Sequence, residues 1–241
     1  MSGVHDEGVM FGELKALIAR RVPGFSVKYK NESKWQKFIG LLSFFNPAYM
    51  TKYTSTIGKT VWFPSREFVV EKRARAFKVL AHEYVHLLDR QKAPIVFELG
   101  YVFPQILFIF ASLAIMAFFF SPWWMLALSA LIFALPIPAI FRSLIEMRGY
   151  SMNLAINIWK HGAVMESTRE WIEEVFCGWD YYKMWPFRRD IQEWIAETER
   201  RVYAIDAVGE RANDSILRES QAFVDVYALV TGIDMDEGGQ E

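Results

Sequence analysis

The spacing of hydrophobic positions changes twice along this chain. Over residues 1–92 they recur at helical or strand intervals between charges; over 93–141 they are almost uninterrupted; over 142–241 helical spacing returns. In the first stretch, residues 11–22 read as a helix and residues 25–30 alternate as a short strand. Residues 35–45 read as an amphipathic or a membrane-grazing segment. Residues 54–63 (TSTIGKTVWF), rich in β-branched and aromatic side chains and closed by Pro64, predict a strand or hairpin. Ser65 is placed to cap a helix running from about 66 to 90. Beyond 141, helix is expected over 142–161 as far as the break at His161-Gly162, then over 166–184 and 187–231. The tail DMDEGGQE is expected to fray.

In the middle stretch only Glu98 carries a formal charge. Two apolar runs, 99–120 and 123–141, are separated by Ser121-Pro122, and a helix needs about 20 apolar residues to cross a hydrocarbon core. The expectation is a transmembrane helical hairpin, kinked at Pro104, Pro136 and Pro138, with Trp123 and Trp124 at an interfacial tip. Arg90 and Lys92 precede the hairpin, Arg142 and Arg148 follow it, and the tip is uncharged, so both termini and any site they carry should face the cytoplasm. The fold class that follows is mainly α with a small β element. The expected arrangement is a single body of residues 1–92 and 142–241 split by the hairpin of residues 93–141.

Composition agrees with this division. Hydrophobic residues are 53% and aromatics 16% of 241 residues, and the excess is concentrated in the hairpin. A net charge of −1 gives no basic patch, so no nucleic-acid partner is expected. One cysteine, Cys177, excludes a disulfide framework and a cysteine-rich metal site. The N-terminal residues have early acids and no apolar core, so no cleavable leader is expected.

The chemistry lies in residues 82–86, HEYVH. Two histidines four apart on a helix project from one face, one turn apart, and supply two corners of a zinc site. Glu83, next to the first ligand, is angled to take a proton from water at the open position. Val79, Leu80, Tyr84, Val85, Leu87 and Leu88 surround the motif, as expected of a buried helix. Zinc needs a third protein ligand. Lys92 stands six residues beyond His86, where a third histidine would be required in one class of zinc peptidase. Asp89, one turn beyond His86, suits a partner-orienting or solvent-facing role. That leaves a downstream glutamate: Glu98, Glu146, Glu166, Glu170, Glu173 or Glu174. His86 lies about eight residues before the first span, roughly 12 Å along a helix, and Glu146 five residues after the second, roughly 8 Å. A tight hairpin returns Glu146 to the depth of His86, which selects it.

An HExxH helix, two spans and a glutamate on the returning helix resemble HtpX-like membrane proteases and the related CAAX prenyl proteases, over residues 54–155. The resemblance implies a membrane gluzincin holding Zn2+ on His82, His86 and Glu146, with Glu83 as general base. It also implies a polypeptide substrate laid against an edge strand, for which residues 59–63 are placed. Where that family reads ExxAD this chain reads EMRGY, with Gly149 at the small position and Tyr150 in place of the Asp that orients a ligand histidine. Asp89, Asn153 or another group would take that role. Tyr150, with Arg148 and His161 as alternatives, is the candidate oxyanion partner; a packed aromatic is an equal reading of Tyr150. Expected partners are the polypeptide substrate, the lipid bilayer, and a second copy or another membrane protein. The rival expectation is a metal-binding membrane anchor or assembly protein with a vestigial site and an aromatic partner surface at residues 179–187.

Overall fold

Met10, Leu14 and Ile18, at helical spacing, bury one stripe of α1 (Glu7–Arg21) against the body. The chain is seen here in a computed structural model that describes residues 7–42, 49–51, 53–134, 138–179, 183–204 and 215–233. It is mainly helical with one small sheet. Parts of the expected segments 35–45, 179–187 and 187–231, the tail 234–241 and Pro136 fall outside the described residues.

Strands β1 (Ser26–Tyr29), β2 (Ser55–Ile57) and β3 (Thr60–Phe63) form the sheet. Its order is β1-β3-β2; β3 pairs parallel with β1 and antiparallel with β2. The β2–β3 turn is Gly58-Lys59, and the glycine takes φ +59, the left-handed value that the first position of a two-residue hairpin turn requires. The assignment of residues 59–63 as an edge strand is therefore corrected. β3 is central because β1 pairs along one side and β2 along the other, with Val61 and Phe63 fully buried, and the sheet edges fall to β1 and β2.

Helix α2 (Lys34–Leu42) follows β1, and α3 (Arg66–Glu71) follows β3. Ser65 caps α3, its Oγ accepting from the Phe68 N–H at 3.2 Å. The single helix expected over 66–90 is broken at Lys72, and α4 runs from Arg73 to Lys92. Phe68 and Phe77 are both buried, yet residues nine apart fall on opposite faces of one continuous helix. The break turns both inward.

The apolar stretch differs from the expected pair of α-helical spans. Helix α5 (Pro94–Val102) stops before Pro104, which lacks an N–H and blocks continuation. Two 3₁₀ segments, Gln105–Phe118 and Pro122–Ala134, then pack on each other. Among the described residues no single helix is long and apolar enough to cross a membrane. Only α5 taken with Gln105–Met116, bent by 72°, has that length and composition. Much of this stretch is uncovered: Val96, Phe119, Phe120 and Trp123 are each more than 70% exposed.

Helix α6 (Ile140–His161) returns to the body and ends as expected, with Gly162 at φ +77. α7 (Glu166–Cys177) stops seven residues short of the expected 184. At Gly178 a Cβ would stand 2.4 Å from the Glu174 carbonyl oxygen, so the chain turns at a glycine. α8 (Arg188–Tyr203), a 3₁₀ turn at Ile216–Arg218 and α9 (Gln221–Thr231) follow among the described residues. α4 packs on α6, with α1, α8 and α9 around the pair. Tyr84 Oη donates to Asp225 Oδ2 at 2.6 Å, and Arg21 and Gln221 hold the other oxygen, which ties α4, α9 and α1 together.

Candidate metal centre

The α4–α6 contact brings the predicted ligands together. His82 and His86 place their Nε2 atoms 2.9 Å apart, and Glu146 Oε2 lies 3.4 Å from the first and 3.9 Å from the second. The point equidistant from these three atoms lies about 2.0 Å from each, within the zinc–nitrogen and zinc–oxygen ranges of about 2.0–2.2 Å. These residues can hold a metal ion. All three are buried, at 8%, 5% and 6% exposure, where a cluster of donors without a cation is costly.

The competing glutamates are engaged elsewhere or exposed. Glu98 pairs with Arg90, Glu166 with Arg169, and Glu173 and Glu174 with Arg188; Glu170 faces solvent.

The approach of α6 to the first histidine depends on Gly149. A Cβ there would stand 2.5 Å from both Cε1 and Nε2 of His82, so any side chain would displace a ligand. Tyr150, the next residue, meets the His82 ring edge-to-face at 4.9 Å and contacts Trp171 and Phe176. Its ring packs the ligand in place. Phe97 of α5 does the same for His86 at 5.9 Å.

The atoms behind His82 fit a metal on its Nε2, whereas His86 Nδ1 is buried with no hydrogen-bond partner among the described residues. Asn153 presents its amide 3.5 Å from His82 Nδ1, while Asn153 Oδ1 is buried with no hydrogen-bond partner among the described residues. An imidazole ligating through Nε2 carries its proton on Nδ1 and needs an acceptor. Turning the Asn153 amide over provides one and satisfies the orphaned oxygen. Of the two groups proposed for the orienting role, Asp89 is thereby set aside: it accepts two hydrogen bonds from Arg148, at 2.6 and 3.0 Å. That pairing also occupies Arg148, which reaches Glu219 as well. His161 is exposed at the far end of α6, roughly 22 Å along the helix from Glu146. Neither is placed to act as the oxyanion partner.

Two contributors escaped the sequence reading. Tyr101 of α5 donates from Oη to Glu146 Oε1 at 3.0 Å, which holds the carboxylate so that Oε2 faces the histidines. Its place inside an apolar run hid it; only its hydroxyl distinguishes it there. Thr56 of β2 donates to Glu83 Oε2 at 2.7 Å, fixing the carboxylate that neighbours the first ligand.

Charge follows from these contacts. Burial alone would raise the Glu146 pKa, but the close imidazoles of His82 and His86, as polar neighbours and by charge, outweigh it and hold the carboxyl well below its usual range. For His86 burial disfavours the charged form, and Glu146, then Glu83 and Asp89, reverse that and raise its pKa. Lys30 is fully buried, donates to the Tyr49 and Tyr53 carbonyls and stands over the Tyr49 ring. Burial pushes its amine down to about 8, with the field of Glu83 acting the other way.

Compared with the models of known protein families, with curated proteins and with solved structures, the chain matches none of them.

Proposed function

We propose that this chain is a membrane-anchored zinc metallopeptidase of the gluzincin type, a minimal relative of HtpX-like proteases. One observation carries the reading: two imidazole nitrogens and one carboxylate oxygen from α4 and α6 converge on a point at zinc-bonding distance from all three. Two histidines and a glutamate are the ligand set of catalytic zinc sites that keep one position open, and the HExxH spacing supplies a carboxylate beside it.

Zinc bound there would supply a Lewis acid for the scissile carbonyl and make a water acidic enough to ionise near neutral pH. The protein's share is positional. Glu83 takes the proton of the attacking water and delivers it to the leaving amine. With Oε2 occupied by Thr56, we assign the transfer to Oε1. Tyr101 and Asn153 orient Glu146 and His82. β2, which carries Thr56 and lies at the sheet edge, is the strand against which an extended peptide would pair. The exposed apolar stretch 94–134, flanked by Arg90, Lys92, Arg142 and Arg148, supports embedding in a bilayer with the site on the cytoplasmic side.

Exposed Trp179 and Phe187 favour a second reading, a metal-bearing assembly protein with an aromatic partner surface. The two readings separate on Glu83. Elemental analysis of the purified protein should find about one zinc per chain, lost in His82→Ala and His86→Ala. Glu83→Gln should keep the zinc and lose peptide cleavage by about 10²–10⁴-fold. A zinc-free native protein removes both readings; a Glu83→Gln variant with its cellular role intact leaves the second.

A further inference from the structure

Helix α2 is built inside out. In a helix on a globular body the apolar stripe faces inward. Here the inward positions are Gln36, fully buried with its Oε1 accepting from Tyr49 Oη at 2.7 Å, and Gly40, closed over by Met50. The apolar residues point out: Trp35 is 62% exposed, Phe38 49% and Leu41 74%. At 100° per residue these three lie within about 120° of arc, opposite Gln36 and Gly40. The Trp35 and Phe38 rings stack on each other at 5.8 Å on the outer surface, and Lys34 and Lys37 are exposed beside them. Isolated exposed apolar residues are ordinary; an apolar face turned outward over a hydrogen-bonded polar one is not.

We infer that α2 is an interfacial helix whose Trp35–Phe38–Leu41 face lies in the headgroup–acyl boundary of a lipid bilayer. The occupant is argued from the composition of the face. Tryptophan with apolar neighbours and flanking lysines matches the layered chemistry of that boundary, with rings at headgroup depth, aliphatic side chains below and ammonium groups on anionic lipid. A protein groove would not call for the exposed lysines. The chain also presents a second uncovered apolar surface in residues 94–134; this inference goes beyond the reading of that surface as bilayer-embedded and is tested separately from it. Lys30, which follows β1, holds the backbone at Tyr49 and Tyr53, the segment that leads from α2 into β2 and Thr56. A bilayer-bound α2 would thereby place the Glu83 side of the site near the membrane surface, suiting substrates that lie on or emerge from it.

Site-directed spin labelling tests this on the full chain. In a Cys177→Ser background, single cysteines at Phe38, Leu41 and Lys37, and at Phe110 and Leu126 as anchor controls, are labelled. Each variant is reconstituted into phosphatidylcholine vesicles containing a quarter phosphatidylglycerol. Labels at 38 and 41 should favour collision with oxygen over a water-soluble nickel complex severalfold more than the label at 37. If 110 and 126 report lipid but 38 and 41 report water, the inference falls and the anchor reading stands. Shielding of 38 and 41 from both reagents would place a protein, a partner or a second copy, on this face and also overturn it. If 38 and 41 report lipid while 110 and 126 report water, the interfacial helix stands and the anchor reading fails.

Discussion

The α4–α6 pair and α2 use amphipathicity with opposite sign. The first buries two histidines and a glutamate between packed helices, with Asn153 half-buried beside them, and most of their polar atoms meet another polar group. The second buries one glutamine and turns three large apolar side chains outward. In the centre, burial makes charge expensive and drives the donors toward a shared cation. On α2 the expensive feature is the uncovered face, which only something outside the described chain can relieve.

Close packing at the centre can be broken by a single methyl group. Gly149→Ala should cost at least 100-fold in zinc affinity and about 1–3 kcal/mol of stability, since the added carbon overlaps the His82 ring. Isothermal or competition titration with a chelator reads the first effect and denaturant unfolding the second. A variant binding zinc like the parent would show that α6 does not define the site.

Lys30 sharpens the contrast from the side of α2, because it is a charge buried against carbonyls, with no carboxylate contact among the described residues. Its amine loses its proton near pH 8 in the folded protein against 10.5 for the free side chain. Between these values the unfolded chain binds a proton that the folded chain has released. Stability should therefore rise with pH across that window, by up to roughly 3 kcal/mol, and Lys30→Met should flatten the rise in denaturant titrations. A rise unchanged in Lys30→Met would assign it to another group.

Tyr101→Phe is smaller. It keeps the ring stacked on Phe97 and removes only the hydroxyl from Glu146, so zinc affinity should fall about 10–100-fold with little change in stability. Unaltered affinity would show that Glu146 is positioned by the histidines alone. The smallest effect is the counterpart of Gly149. At Gly12, in α1, a methyl group would meet nothing within 4 Å, and Gly12→Ala should stabilise by at most about 1 kcal/mol in the same denaturant unfolding measurement.

Local rules carried part of this structure in the sequence. The four-residue interval between His82 and His86, the Ser65 cap, the Gly58 turn and the end of α6 at Gly162 each depend on a few neighbouring residues, and each is legible without a fold. Glu146 was legible for a different reason: it follows the second apolar run by about as much chain as separates His86 from the first, so a hairpin returns it to the same depth. The α-helical form of those runs did not follow, because Pro104 ends α5 where hydropathy alone continues.

What only the tertiary structure decided is the set of contacts between segments distant in sequence. Tyr101 meets Glu146 across 45 residues and Thr56 meets Glu83 across 27. β3 lies inside the sheet because β1, from well before it in the chain, pairs along its other side. Asp89 and Arg148 choose each other over the roles their spacing suggested, and Gly149 acquires its meaning only where α6 crosses the His82 ring. The outward turn of α2 belongs here too. Periodicity reveals that a helix has an apolar face, but which way that face points depends on what the remaining chain buries beneath it.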